Sequence, residues 1–198
     1  MTDTEFLAKI RVDVIEDMKK SGVLASLTAA QAFCESAHGS SGLTVRANNL
    51  FGIKGVYLGQ YVTMKTKEFV NGQYVVVDAK FRKYPDWKSS IDDHSRLFTN
   101  NQRYKNLIGE KDYKKACKKV QADGYATSPV YADTLIKIIE KYKLYEWDLE
   151  EQLIDEELET ALNILAARVI AGKFGQGHEM RKETIYQLIR NRVNSILK

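Results

Sequence analysis

The sequence predicts an α+β chain that is mostly helical, and three observations predict it. Apolar residues recur at helical spacing in both the first and the last thirds of the chain. One segment, residues 61–82, is rich in Val, Thr, Tyr and Phe and holds Asn71-Gly72, the strongest short signal for a hairpin turn. The order is therefore helices, one hairpin, then helices, which sets a small antiparallel sheet beside a helical body.

The elements follow in order. Phe6, Ile10, Val14 and Met18 form one stripe over residues 5–20, with Leu7 and Ile15 beside it, so a helix runs there until Ser21-Gly22. Thr28-Ala-Ala-Gln31 has the form of a capping box and starts a second helix near residue 29, with Gly39 as its stop. Residues 39–55 (GSSGLTVRANNLFGIKG) read as a structured loop. In the hairpin, a two-residue turn makes Val70 face Gln73 and Glu68 face Val75. The period of two puts Met64, Thr66, Glu68, Val75, Val77 and Ala79 on one face. Lys65, Lys67, Phe69, Tyr74, Val76 and Asp78 take the other. From Pro85 helices return, near 89–99, 104–108, 112–123 and 128–142, then at 153–171 and 180–197. Asp92, Asp93 and His94 read as a solvated stretch of the first of these, and Cys34 as a core residue.

Composition narrows the class. Apolar residues at 44% and charged residues at 28% fit an ordinary globular chain. Two cysteines, Cys34 and Cys117, are too few for a disulfide scaffold and are expected as free thiols. No apolar run reaches the roughly 18 residues of a membrane span, so no membrane insertion is expected. The N-terminus (MTDTEFLAKIRVDVIEDMKK) has early acids and no apolar core, so it does not read as a signal peptide; a cytoplasmic chain is expected.

The net charge of +4 hides a pattern. Residues 1–145 carry +7, residues 146–159 (EWDLEEQLIDEELE) carry −8, and residues 160–198 carry +5. The acidic block reads as a solvated junction. The layout expected is a catalytic domain over 1–147, an acidic linker or helix start over 148–159, and a small helical module over 160–198. The basic blocks suit an anionic partner: nucleic acid, an acidic membrane surface or an anionic cell wall.

Two carboxylates stand out. Glu35 lies near the end of the second helix, where the negative end of the helix dipole disfavours another negative charge. Ala32, Phe33 and Cys34 around it solvate poorly. Both effects raise its pKa, as a general acid requires. Glu68 is the only charged residue on the more apolar hairpin face, where a carboxylate projects into a cleft or is paired. Two such groups facing one cleft suit glycosidic cleavage, one protonating the leaving oxygen and the other activating water or stabilising the cationic sugar. Tyr57, Tyr61, Tyr84, Trp87, Tyr104, Tyr125 and Tyr131 offer stacking surfaces for sugar rings. Cys34 and His38, four residues apart, could mimic a thiol–imidazole pair but lack an orienting third residue. His38, His94 and His178 lack metal-ligand spacing, so neither a metal nor another cofactor is expected. Gly172–Gly177 lacks the GK[ST] ending of a phosphate loop.

Six ordered segments carry a resemblance: AQAFCESAHGSSGL (30–43), ANNLFGIKG (47–55), TKEFVNGQ (66–73), KFRKYPDWKSSIDDHSRLF (80–98), RYKNL (103–107) and DGYATSPVYADTLIKII (123–139). Together they resemble the glucosaminidase domain of glycoside hydrolase family 73, bacterial and phage enzymes that cut peptidoglycan. The resemblance implies a lysozyme-like fold and cleavage of the β-1,4 bond after N-acetylglucosamine. It puts the family's catalytic acid on Glu35 and its second acidic residue on Glu68. Tyr125 is implied as a contact for the acetamido group or the developing charge. Asn49 and Phe51 are implied to line the cleft, with Trp87 and Tyr104 as further contacts. His38 and Ser128 depart from the aromatic residue and the aspartate that many members carry there. Glu68 would act as base in an inverting reaction, or the substrate's own acetamido group would attack.

Residues 160–198, through ILAARVIAGKFGQGHEMRK and NRVNSIL, resemble the short cell-wall-binding repeat of some phage lysozymes, with the middle shortened and a single copy present. Wall binding or self-association is implied for it. The expectation is a phage-type endolysin, held in the host cytoplasm and released to peptidoglycan, with no nucleic-acid partner. Two alternatives stay open: a muramidase of the same fold, and a non-catalytic wall-binding lysis protein.

Overall fold

The computed structural model describes residues 1–70 and 72–149, with the side chains of 68–70 outside the described set. The chain divides into two units, Met1–Asp148 and Leu149–Lys198. The acidic stretch from residue 150 and the module expected over 160–198 lie outside the described residues, so the first unit alone is described.

Helix α1 spans Asp3–Ser21. Thr2 and Glu5 form a capping box, each side chain accepting from the other's backbone N–H at 3.2 and 2.7 Å, which starts the helix two residues before the apolar stripe requires. Gly22 ends it at φ +74°, a left-handed conformation that glycine adopts without strain. Phe6, Leu7, Ile10 and Val14 are buried along one stripe. Each such side chain contributes about 1.5–3 kcal/mol by leaving water.

Helix α2 spans Ala25–Glu35, which corrects the expected start near 29 and stop at 39. Thr28 is inside the helix rather than at its cap. The cap is supplied from far along the chain: the Asp148 carboxylate accepts from the Ser26 N–H at 2.8 Å and its hydroxyl at 2.6 Å. The helix ends early because Ala37 and His38 take positive φ (50° and 56°) ahead of Gly39. Gly39 itself is required by crowding, since a Cβ there would sit 2.8–2.9 Å from Met1, Phe6 and Trp87. Glu35 thus becomes the last residue of a helix that is buried from Ala25 to Phe33.

A short helix α3, Gly42–Ala47, occupies part of the segment expected to be loop; Ser41 caps it by accepting from the Thr44 N–H at 3.1 Å. Strands β1 (Tyr61–Val70) and β2 (Gln73–Arg82) form an antiparallel hairpin in the expected register, with Glu68 opposite Val75 and Val70 opposite Gln73. Met64, Thr66, Val75 and Ala79 are half-buried on one face, while Lys65, Lys67, Tyr74, Val76 and Asp78 are exposed on the other. Val77 is more open than its face predicts.

Helix α4 (Trp87–Asn100) is capped by Asp86, and a 3-10 turn follows at Gln102–Leu107. Helix α5 (Tyr113–Ala122) is capped by Asp112, α6 spans Tyr131–Lys141, and a 3-10 turn at Leu144–Asp148 closes the unit. Helix α2 packs against α1, α5, α6 and the closing turn, while the hairpin meets the helical body at α3 through β1 and at α4 through Arg82 of β2. The result is a helical lobe built around α2 with a two-stranded lobe beside it.

Candidate active site

The geometry gathers at the C-terminal end of α2. Glu35 stays open to solvent, yet protein crowded around its carboxyl pushes its pKa above the ordinary carboxylate range. A hydrogen bond from the Tyr131 hydroxyl to Oε1, 2.8 Å long, opposes that rise. Tyr131 is the first residue of α6 and is buried. Its oxygen accepts from Nε2 of Gln31 at 3.3 Å, and Gln31 lies one turn before Glu35 on α2. The three side chains form a chain running from amide to phenol to carboxyl.

Tyr125 stacks on Tyr131, ring centroids 5.9 Å apart and planes 22° apart. It follows Gly124, whose φ of +76° turns the chain after α5. Burial, then the nearby Glu35 charge, push the Tyr125 phenol far above its usual pKa, so it stays neutral. Behind it, Tyr104, Phe98 and His94 present ring edges at 6.4, 5.7 and 5.8 Å.

His94 corrects the expectation of a solvated stretch. It is fully buried, stacked on Phe51 at 3.8 Å and 14°, and neither ring nitrogen has a hydrogen-bond partner. Burial lowers its pKa to about 3, so it is neutral. Asp93 beside it is also buried, accepting from Arg82 Nη1 at 2.6 Å and from the Tyr84 hydroxyl at 2.7 Å. Polar residues in a row did not mark the outer face of α4, because other elements pack over it.

The remaining sequence candidates separate. Asn49 is only 1% exposed and its amide is occupied: Nδ2 donates to the carbonyls of Ile53 and Arg82, both at 2.9 Å, and Oδ1 accepts from the Ile53 N–H at 3.1 Å. It braces the loop after α3 against the base of β2 rather than lining an open cleft. Phe51 is a core residue under His94. Tyr104 is buried against Phe98 and Tyr125. Trp87 packs on Phe6 at 5.5 Å, with Lys9 Nζ 3.9 Å above its ring; neither partner is shared with Glu35 or Tyr125. The backbone of Glu68 pairs with Val75, and its side chain lies outside the described set.

Cys34 is exposed, not core, and its thiol pKa is raised by burial of the sulfur and by Glu35, so it is a poor thiolate. His38 turns away to Asp3, Nδ1 to Oδ1 at 2.9 Å, and stacks on Phe33. Both thiols are free. Among the described residues no group of three or more His, Cys, Asp or Glu side chains is arranged to hold a metal.

The sequence marks Tyr131 as a stacking surface and Gln31 as part of a capping pattern, but neither as a hydrogen-bond partner in the Glu35 site. Gln31 was visible as the residue four before Glu35, the spacing that shares a helix face. Tyr131 was visible as an aromatic in the segment that holds Tyr125. Their joint relation to Glu35 needed the packing of α6 on α2.

A carboxyl at the end of a buried central helix, faced by tyrosines, in a mostly helical unit that carries one two-stranded antiparallel sheet, is the lysozyme-like arrangement. Within it the chain belongs to the Glucosaminidase family, described as mannosyl-glycoprotein endo-beta-N-acetylglucosaminidase, whose model matches residues 12–144. The exo-glucosaminidase LytG of Bacillus subtilis (strain 168) is 47% identical over 135 residues, which cover 66% of this chain and 48% of that protein. A probable N-acetylmuramidase of Lactococcus lactis subsp. lactis is 34% identical over 151 residues, covering 72% of this chain and 34% of that protein. The chain thus spans about half or less of these relatives. The catalytic domain of the autolysin Auto from Listeria monocytogenes has a similar structure, with a TM-score of 0.71 at 35% identity over 74% of this chain and 87% of that one.

Proposed function

We propose that this chain is a peptidoglycan hydrolase that cuts the β-1,4 bond after N-acetylglucosamine, with Glu35 as general acid. The observation that carries the reading is the Glu35 carboxyl, solvent-accessible yet raised in pKa and held by Tyr131 at the end of α2. A group poised in this way stays protonated closer to neutrality and delivers its proton to the leaving oxygen. The family and the glucosaminidase name of the Bacillus relative support the choice of sugar.

In this reading Glu35 protonates the glycosidic oxygen. Glu68, on the hairpin opposite Val75, activates the water that attacks the anomeric carbon, giving inversion. Neutral Tyr125 lies against the acetamido group or the charge that develops on the sugar, with Tyr104 supporting its ring. Attack by the substrate's own acetamido group would relieve Glu68 of the base role, and Glu68→Gln would then keep most of the activity.

The direct test is loss of turbidity of purified bacterial cell walls. Glu35→Gln keeps the size and the Tyr131 contact but cannot donate an acidic proton. Its rate should fall roughly 10²–10⁴-fold, the usual contribution of a general acid. Equal clearing by both proteins ends the assignment. A second reading, cleavage on the other side as a muramidase, is favoured by the name of the Lactococcus relative. We further propose use as an endolysin, accumulated in the host cytoplasm and released by another protein's membrane lesion. Fractionation of expressing cells before lysis would sink that proposal by finding the chain outside the cytoplasm. Among the described residues no helix is long and apolar enough to cross a membrane.

A further inference from the structure

We propose that Tyr131 is a positioning residue that selects which oxygen of the Glu35 carboxyl carries the transferred proton. The proposal rests on Glu35 being the general acid. A carboxyl has two oxygens, and a proton on the wrong one points away from the leaving group. Tyr131 resolves the choice through the direction of its hydrogen bonds. A phenol has a single hydrogen to give. Gln31 Nε2 donates into the phenolic oxygen at 3.3 Å, so that hydrogen is directed to Glu35 Oε1 at 2.8 Å. Oε1 is then an acceptor in both protonation states, and the acid proton resides on Oε2.

The arrangement is rigid. Tyr131 is buried, its ring lies on that of Tyr125, and its backbone N–H is held by the Ser128 carbonyl at 3.2 Å. Gln31 and Glu35 ride on the buried helix α2. The phenol therefore meets the carboxyl from a fixed direction.

The step balances as follows. The proton passes from Oε2 to the glycosidic oxygen, and the carbon–oxygen bond breaks with its electron pair on that oxygen. Water supplies hydroxyl to the anomeric carbon and its remaining proton to the base. Glu35 is left as a carboxylate, and its new charge sits against the Tyr131 hydroxyl. A hydrogen bond to an ionised group is stronger than one to a neutral group. Tyr131 thus stabilises the product of proton transfer, while the crowded surroundings keep the acid protonated beforehand. The two influences act in opposite directions on the same group.

The experiment compares kcat/KM against pH for wild type, Tyr131→Phe, Gln31→Met and Glu35→Gln, using soluble peptidoglycan oligosaccharides. Tyr131→Phe keeps the ring, its burial and the stack on Tyr125. Loss of the phenolic donor should move the alkaline limb of the profile to higher pH and lower the rate at the optimum roughly 10–100-fold. Gln31→Met should move the limb the same way by less. A fall in rate with the alkaline limb in place, or moved to lower pH, in both variants overturns the positioning role while leaving Glu35 as the acid. Wild-type activity in Glu35→Gln overturns the underlying reading, and the proposal with it. Melting temperature recorded in parallel separates a fold defect from the shift in the limb, which loss of folded protein does not move.

Discussion

Arg82 and Asp93 join the two lobes: the guanidinium at the end of β2 places Nη1 2.6 Å from the carboxylate on α4. The Tyr84 hydroxyl donates to the same oxygen at 2.7 Å. The Asp93 side chain is 8% exposed and that of Arg82 is 33% exposed. A pair buried on one side only contributes more through the cost of breaking it than through its net attraction.

Asp93→Ala should therefore destabilise the fold by about 2–4 kcal/mol, below the figure for a fully buried pair because Arg82 retains access to water. It leaves both the guanidinium and the buried Tyr84 hydroxyl without their acceptor. Chemical denaturation checks the value. A loss under about 0.5 kcal/mol would mean that the hairpin is held by other contacts.

Asn49 gives a second expectation. Asn49→Ala leaves the Arg82 carbonyl and the Ile53 N–H without partners between the loop and β2, and the Ile53 carbonyl with the Arg82 N–H alone. Unpaired buried groups cost about 1–3 kcal/mol each before relaxation or water entry. The expected outcome is a loss of about 2–4 kcal/mol, with Asn49→Asp nearly as harmful because it removes both donors. If Asn49 instead touches substrate, Asn49→Ala will keep its stability and lose affinity.

Acidity provides a third, with opposite signs at two residues. His94 has a folded-state pKa of about 3 against 6.5 ordinarily, so the unfolded chain binds its proton first and stability is lost as pH falls below 6.5. Buried Asp17 has its pKa raised to about 6 from 3.8, so the folded chain binds its proton first and stability is gained as pH falls from 6 towards 3.8. At pH 4.5 each effect amounts to about 2–3 kcal/mol, and they largely cancel. His94→Leu should grow more stable between pH 6.5 and 4.5 relative to its own value at pH 7, and Asp17→Asn less stable. Parallel pH–stability curves for the two variants would contradict this.

Legibility in the sequence followed the range of the contacts. The hairpin register was readable because Asn71-Gly72 and the alternation of side chains act across a few residues. The bounds of α2 were not, because its cap is Asp148, 122 residues from Ser26, and its end is set by left-handed turns at Ala37 and His38, the first a residue type that seldom adopts one. Helix α3 was hidden by Gly, Ser and Asn in a segment where Ser41 acts as a cap. Glu35 could be singled out from helix position and poor solvation alone. Its phenolic partner could not, since Tyr131 lies 96 residues away. Burial of Asp93 and His94 depends on what covers α4, which polarity along one helix does not reveal.

The most direct measurement is mass spectrometry of glycan fragments released from peptidoglycan and reduced at their new ends. Wild type should leave reduced N-acetylglucosamine at the new ends, and Glu35→Gln none. Reduced N-acetylmuramic acid at those ends, or intact glycan strands after exhaustive digestion, would contradict this.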